Sequence, residues 1–384
     1  MARHLAANGI TLLIVALVVA IGMLEWGRGQ FAGPGPLTED TVVEVPSGAN
    51  LSRVTDELTE VGAISHPLVF RIAARMQGAD EELKLGCYAL PARATMAEIL
   101  ERVTTARGSQ ACYQATFVVN NRGTRLRIRD AAGGTEIETV ELDEGLQAVD
   151  AELDAGGSVQ MRVSVAEGLT VRDILTGLAQ VPYLSGDVAE TPAEGMLAPD
   201  TYEFTREMER AQLVARMQTV QETRLAEAWE SRGEDLPVDS PEELLTLASI
   251  VEKETGVAEE RGLVAAVFAN RLQQGMRLQT DPTIIYGITR GGEPMEREIS
   301  RSDIDGVTER QLHGEVQYNT YQIDGLPPGP IANPGRASLM AAAAPDESPY
   351  LFFVADGTGG HAFAETLDEH NRNVANYRAL NAGQ

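Results

Sequence analysis

One stretch of this chain leaves little freedom in how it is accommodated: Ile10 to Leu24, ITLLIVALVVAIGML, carries no charge. Such a run has to be buried in protein or in lipid. With Trp26 behind it at the position of an interfacial aromatic, the segment from Leu5 to Trp26 is long enough to cross a bilayer. No second run of this kind occurs in the 384 residues. A cleaved signal peptide is the competing reading, because the apolar core is short. However, no small-x-small cleavage site comes after it, only Glu25, Trp26, Gly27 and Arg28. We therefore expect an uncleaved single-pass anchor. Arg3 and the N-terminal amine precede it, a slight positive charge that favours a cytoplasmic tip and a body on the outer side of the membrane.

Beyond the anchor the chain has the composition of a folded body. Hydrophobic residues make up 43% and charged residues 23%, which excludes a disordered chain and a polytopic membrane protein. At roughly 150 residues per domain, two or three domains are expected. Asp and Glu outnumber Lys and Arg by 57 to 31, a formal charge of −26. Without clustered cations to release counterions, the chain has no general grip on nucleic acid. Cys87 and Cys112 are too few for a disulfide framework, and the sequence leaves open whether they pair or stay reduced.

Periodicity divides the body. Residues 1–28 form the tip and anchor, and 29–40 a linker stiffened by Gly33-Pro34-Gly35-Pro36. A small α+β module spans 41–106: TVVEVPSGAN (Thr41 to Asn50) as a strand running into a helix start, helices over Leu51 to Val61 and Pro67 to Met76, a short strand at Cys87 to Leu90, and a capped helix after Thr95. Over 107–165 the pattern turns to period two in TFVVNN, TRLRIRD, TEIETVEL and SVQMRVSV, with Asn121-Arg122-Gly123 and two Gly-Gly pairs as turns. From 166 to 384 helices dominate: Val171 to Ala179, Arg206 to Arg232, a helix opened by Ser240-Pro241-Glu242-Glu243, and Glu259 to Gln274 closed by Gly275. MRLQTDPTIIYG then reads as a loop and strand. The fold class expected is α+β, with a transmembrane helix, a small module, a β-rich insertion and a mixed α/β C-terminal domain.

On the helix after Ser240 the apolar stripe is Leu244, Leu247, Ala248 and Val251. With Val251 at zero, Glu254 falls at about −60° and Glu252 at about +100°. Glu254 faces the core side. A carboxyl there must be paired, or kept partly protonated by desolvation, the state a general acid needs near pH 7. Metal chemistry finds no ligand spacing among His4, His66, His313, His361 and His370, nor any Cys-x-x-Cys. We expect no metal or cofactor. Ser249 lacks a G-x-S-x-G setting and reads as a core hydroxyl, and no Walker or Rossmann glycine pattern occurs.

Four long motifs then occur in order: LASIVEKETG (Leu247 to Gly256), VFANRLQQGMRLQTDPTIIYG (Val267 to Gly287), YNTYQIDGLPPGPIANPG (Tyr318 to Gly335) and LFFVADGTGGHAF (Leu351 to Phe363). With EGLTVRDIL and EGMLAPDTYEF upstream, the chain resembles the MltG/YceG-like endolytic murein (peptidoglycan) transglycosylases. The resemblance implies a LysM-like module at 41–106 and a YceG-like catalytic domain at 166–384, and it matches the family's catalytic glutamate to Glu254. Asn270, Arg271, Gln279, Asp281, Tyr286, Asn319 and Tyr321 match motif residues and become candidates for the sugar-binding cleft, with His361 a weaker one. The β-patterned stretch at about 109–157 and Ala269, where similar proteins carry a larger side chain, depart from the pattern.

The resemblance further implies cleavage of the β-1,4 bond after N-acetylmuramic acid within a glycan strand, leaving a 1,6-anhydro end. It implies action on nascent strands from the cytoplasmic (inner) membrane and partners among peptidoglycan synthases. One carboxyl serves both steps: Glu254 gives a proton to the leaving oxygen and then takes one from the sugar's 6-hydroxyl. Two rivals stand beside this reading. A muramidase-type hydrolase would need a second carboxylate, Glu252 or Asp281, and a glycan-binding scaffold would leave Glu254 structural.

Overall fold

The computed structural model describes residues 2–45, 48–105, 109–110, 112–130, 138–154, 159–292, 295, 297–305 and 315–381. In chain order its elements are α1 (Ala2–Ala32), β1 (Thr41–Val45), α2 (Leu51–Glu60), α3 (Pro67–Met76), β2 (Gly86–Leu90), α4 (Met96–Thr105), β3 (Ser109–Gln110), β4 (Tyr113–Asn120) and β5 (Gly123–Asp130). Next come β6 (Glu138–Val140), α5 (Leu142–Asp154), β7 (Val159–Val165), α6 (Val171–Ala179), β8 (Thr201–Phe204) and α7 (Arg210–Glu230). The chain ends with α8 (Pro241–Glu254), α9 (Arg261–Gln273), α10 (Asp281–Thr289), α11 (Arg301–Asp305), α12 (Arg336–Ala343), β9 (Phe352–Ala355), β10 (His361–Ala364) and α13 (Leu367–Asn381). The fold is mixed α and β behind an apolar N-terminal helix. Two compact units emerge, one of residues 1–116 and 126–161, the other of 117–125 and 162–384.

In the first unit β1, β2 and β3 form a sheet, with β1 antiparallel to β2 and Val43 opposite Tyr88. Val43, Val45, Leu58, Phe70, Tyr88, Leu90, Ile99 and Val103 are buried together beneath it. The Asn50 side chain caps α2, accepting from the Arg53 amide at 2.9 Å, and Thr95 and Glu98 exchange bonds at 3.1 and 3.0 Å as their spacing suggests. α1 holds a 22-residue stretch, Thr11–Ala32, long and apolar enough to cross a membrane, and its residues from Thr11 to Trp26 are exposed. Its C-terminal end is not free, because Phe31 packs on the core just described and Trp26 meets His66 edge-on at 5.1 Å. The Gly-Pro segment behind it docks as well: the Gly35 amide donates to Arg93 O, the Arg93 amide to Leu37 O, and Leu37 is buried. A Cβ on Gly35 would lie 2.1 Å from Ala94 O, so only glycine fits there. Cys87 and Cys112, left open by the sequence, form a disulfide with Cα atoms 4.9 Å apart.

Five strands join in the order β6-β5-β4-β7-β8, and the expected alternation is plain in β4 and β7, where Ala115, Phe117, Val119, Met161, Val163 and Val165 are buried. TEIETVEL departs from expectation. Its described part is a strand only at Glu138–Val140, and the chain then enters α5, with Asp143 and Glu144 in the first turn and Val149 buried. The missing side chain of Gly145 lets α5 approach, since a Cβ there would lie 2.6 Å from Leu126. The Gly133-Gly134 and Gly156-Gly157 turns, and His313, lie outside the described residues.

The second unit is built around α8. Ser240 caps it, accepting from the Glu243 amide at 3.2 Å with Pro241 in its first turn. Its stripe proves wider than expected, because every residue from Leu244 to Val251 is buried, with α7, α9 and α12 packed around it. Ser249 lies inside this core, donating to Thr246 O at 2.7 Å and accepting from the Ile331 amide at 3.0 Å. The expected strand in MRLQTDPTIIYG is a helix, α10. Pro282 sets its first turn, and Thr283, Ile284 and Gly287 bury one helical face.

Candidate active site

α8 ends at Glu254, which brings its carboxyl to the start of α10. The Thr280 hydroxyl donates to Glu254 Oε1. Thr280 is held tightly itself: its amide donates to Thr320 Oγ1 at 3.0 Å, its carbonyl accepts from Thr283 Oγ1 at 2.7 Å, and the Thr283 and Thr320 hydroxyls lie 2.9 Å apart. All three threonines are buried. The preceding Gln279 has a left-handed φ of 52°, and its amide donates to Thr320 O at 3.2 Å. The donor to Glu254 thus stands on a rigid turn.

A pocket of about 190 Å³ opens at Glu254. Arg271, Gln279, Asp281 and Tyr321 line it with polar groups, and Phe268, Leu278 and Phe353 supply an apolar wall. The Tyr321 hydroxyl donates to Asp281 Oδ1 at 2.8 Å. Burial holds the Glu254 carboxyl above the ordinary carboxylate range. The Thr280 hydrogen bond pulls it back, the Asp281 charge adds to the rise, and His361 and Arg271 oppose it. A raised pKa is the direction a general acid requires. Burial and the Asp281 acceptor likewise keep the Tyr321 hydroxyl protonated. A larger cleft of about 570 Å³ shares Asp281 and is lined by Lys253, Thr170, Asp173, Ile285 and Arg297.

The eight residues singled out in the sequence, with His361 as a ninth, do not all meet. Glu254, Arg271, Gln279, Asp281 and Tyr321 surround one pocket. Arg271 is also a strut, donating to Leu351 O and Leu278 O at 2.7 Å each and lying 5.2 Å over the Phe352 ring. Asn270 stands away from the pocket lining, its amide nitrogen donating to Ser348 O and Tyr350 O at 2.8 and 2.9 Å. Asn319 is buried and donates to Asp303 O and Ile304 O. Tyr286 turns toward Glu194, donating at 3.2 Å. His361 binds Glu260 through Nδ1 at 2.7 Å and meets Phe353, a pocket wall, edge-on at 5.3 Å. Ala269 is buried within α9.

Thr280 is the residue the sequence reading missed. Its signal was its place before Asp281-Pro282, the position that caps a helix. Among the other carboxylates, Glu252 accepts from the Gly335 amide at 3.0 Å and is absent from the pocket lining. Glu194 is desolvated into a raised pKa yet fully engaged, accepting from the Val171 amide, Tyr286 and Asn333. Asp281 is therefore the second carboxylate that lines the pocket. Among the described residues, no three His, Cys, Asp or Glu side chains are grouped as metal ligands would be.

Known proteins match the chain over most of its length. The family model described as the YceG-like family matches residues 43–376. The chain is 28% identical over 338 residues to a protein of Bacillus subtilis (strain 168) named endolytic murein transglycosylase, covering 87% of this chain and 84% of that one. It is 28% identical over 342 residues to a protein of the same name from Streptococcus pneumoniae serotype 2, covering 87% of this chain and 58% of the longer pneumococcal protein. A crystal structure of a yceG-like protein from Listeria monocytogenes, 23% identical, superposes with a TM-score of 0.44 over 87% of this chain and 98% of that one.

Proposed function

The chain belongs to the YceG-like family, and on that premise we propose that it is an endolytic murein transglycosylase, a lyase that cuts peptidoglycan glycan strands internally. The observation that carries the reading is the carboxyl of Glu254: desolvated, held by a fixed hydroxyl, and open to a pocket with hydrogen-bonding walls. Glu254, protonated, gives its proton to the oxygen leaving N-acetylmuramic acid. As carboxylate it then takes the proton of the same sugar's 6-hydroxyl as that oxygen closes on the anomeric carbon. The bond to the next sugar breaks, a 1,6-anhydro ring forms, and no water is added. Arg271, Gln279, Asp281 and Tyr321 offer donors and acceptors for sugar hydroxyl and acetamido groups. The cleft that shares Asp281 gives a strand room to continue past the cut, as internal cleavage requires. Asn270, Asn319 and Tyr286, engaged with the protein itself, serve by shaping the cleft.

α1 is read as a single-pass anchor in the cytoplasmic membrane, with the body on the outer face. Its C-terminal end packs into the folded module through Phe31 and Trp26, contacts that a cleaved signal peptide would forfeit. The Cys87–Cys112 disulfide suits an oxidising compartment. Residues 41–106 are read as the LysM-like module. Tethering raises the enzyme's concentration where nascent strands emerge, beside the synthases that make them.

A second reading keeps one foothold, because Asp281 lines the pocket with Glu254 and would activate water in a muramidase-type hydrolase. Product ends separate the two. Purified peptidoglycan treated with the full chain yields anhydro-ended fragments by mass spectrometry if the lyase reading holds, and fragments one water heavier, with reducing ends, if Asp281 acts as base.

A further inference from the structure

α3 is apolar on two opposite faces. Phe70 and Ala74 are buried in the core of the first unit, whereas Leu68, Ile72 and Met76 are 72%, 59% and 79% exposed. At 100° per residue these three span about 80° of the helix surface, facing away from Phe70 and Ala74. A helix with one face in a core ordinarily turns charges outward, and a contiguous apolar stripe left outside marks an interaction surface. The charge on α3 is equally one-sided: Arg71 and Arg75, with no acidic residue from Pro67 to Met76, in a chain of net charge −26. Among the described residues Arg71, half-buried, pairs with the exposed Asp56 at 3.3 Å, a contact of a kind that contributes little. α3 also starts at a particular level. His66, which precedes it, meets Trp26 edge-on at 5.1 Å, and α3 packs against α1. Trp26 closes the apolar span, where tryptophan marks the boundary of hydrocarbon and headgroups.

We propose that α3 is a membrane-interface helix: Leu68, Ile72 and Met76 lie in the acyl boundary of the bilayer that α1 crosses, with Arg71 and Arg75 against anionic phospholipid headgroups. The inference rests on reading α1 as an anchor. An apolar stripe flanked by arginines is the composition of helices that lie in the membrane plane. Each arginine near an anionic surface strengthens such a contact by about fivefold. Two attachments, one spanning and one lateral, hold the first unit in a fixed attitude on the membrane instead of leaving it to swivel on a tether.

The test uses the full chain in vesicles of phosphatidylcholine and phosphatidylglycerol, with a nitroxide on Ile72→Cys or on Val18→Cys. Cys87 and Cys112 are tied to each other and take no label. Relaxation by oxygen, which partitions into lipid, is compared with relaxation by a water-soluble nickel complex. The proposal predicts oxygen above nickel at both sites, and a return to nickel above oxygen at site 72 when Arg71→Glu and Arg75→Glu are added. Oxygen above nickel at 18 with nickel above oxygen at 72 overturns it while sparing the anchor. A label at 72 shielded from both reagents means a protein or a second copy covers α3, which also overturns it. Nickel above oxygen at 18 removes the anchor and the proposal together.

Discussion

A carboxyl that is to give a proton and then take one back needs a defined environment, and at Glu254 two opposed influences set it. Burial favours the neutral acid, and the Thr280 hydroxyl favours the anion. Thr280→Val removes the second influence alone. The pKa of Glu254 then rises, so the alkaline limb of the rate profile moves up by about one pH unit. The maximal rate falls about tenfold as the carboxyl loses its orientation. Thr280→Ser restores both, and a limb that moved downward would mean the carboxyl had become wetter instead. Asp281, Tyr321, Arg271 and His361 are the other titratable or charged groups acting on this carboxyl, and the two variants leave them in place. Stability carries the opposite sign from activity. A carboxyl whose pKa is raised on folding keeps a proton that the unfolded chain has released, so stability is lost as pH climbs from the ordinary carboxylate range through the raised value. Glu254→Gln, which still accepts from Thr280, should therefore gain melting temperature over the parent at pH 8 and gain less at pH 4, as a calorimetric pH series will read.

Elements differ in how openly the sequence declares them. Helix starts were legible where a capping pattern stands out: Thr95 and Ser240 cap as their spacing suggests, whereas α13, which Thr366 and Glu369 cap in the same way, was not read. Glu254 was legible too, through helical spacing and through its motif. α10 was not, because Ile284-Ile285-Tyr286 carries the residues of a strand, and only Asp281-Pro282 in its first turn betrays the helix. α5 was hidden by its faint pattern, since Gly145 and Val149 are its only buried residues. Least legible were the pairings between distant segments. Nothing in the local pattern says that Tyr286 turns to Glu194 or that Asn333 bridges two loops. Asn333 is fully buried, donating through Nδ2 to Leu169 O at 2.8 Å and accepting from the Leu197 amide at 2.8 Å. Asn333→Ala strands that amide and costs Glu194 a donor, so urea unfolding should lose about 2–3 kcal/mol. A loss within experimental error would mean water replaces the side chain.

At the scale of the molecule the charge of −26 has to be reconciled with an acidic polymer as substrate. Sugar contacts in a local pocket, rather than bulk attraction, must carry recognition. Raising the salt concentration should thus change the affinity for glycan strands little, and a steep loss with added salt would contradict that. In the function proposed above, the N-terminal helix serves location and the second unit chemistry. Since α1 and the segment through Leu37 are packed into the first unit, the whole chain is the right object for assay. The most direct test sets the full chain beside its Glu254→Gln variant on purified peptidoglycan, with the released ends read by mass spectrometry. The parent should release 1,6-anhydro ends, and the variant, with its fold intact, about 10²–10⁴-fold fewer. Anhydro ends released equally by both proteins would contradict this.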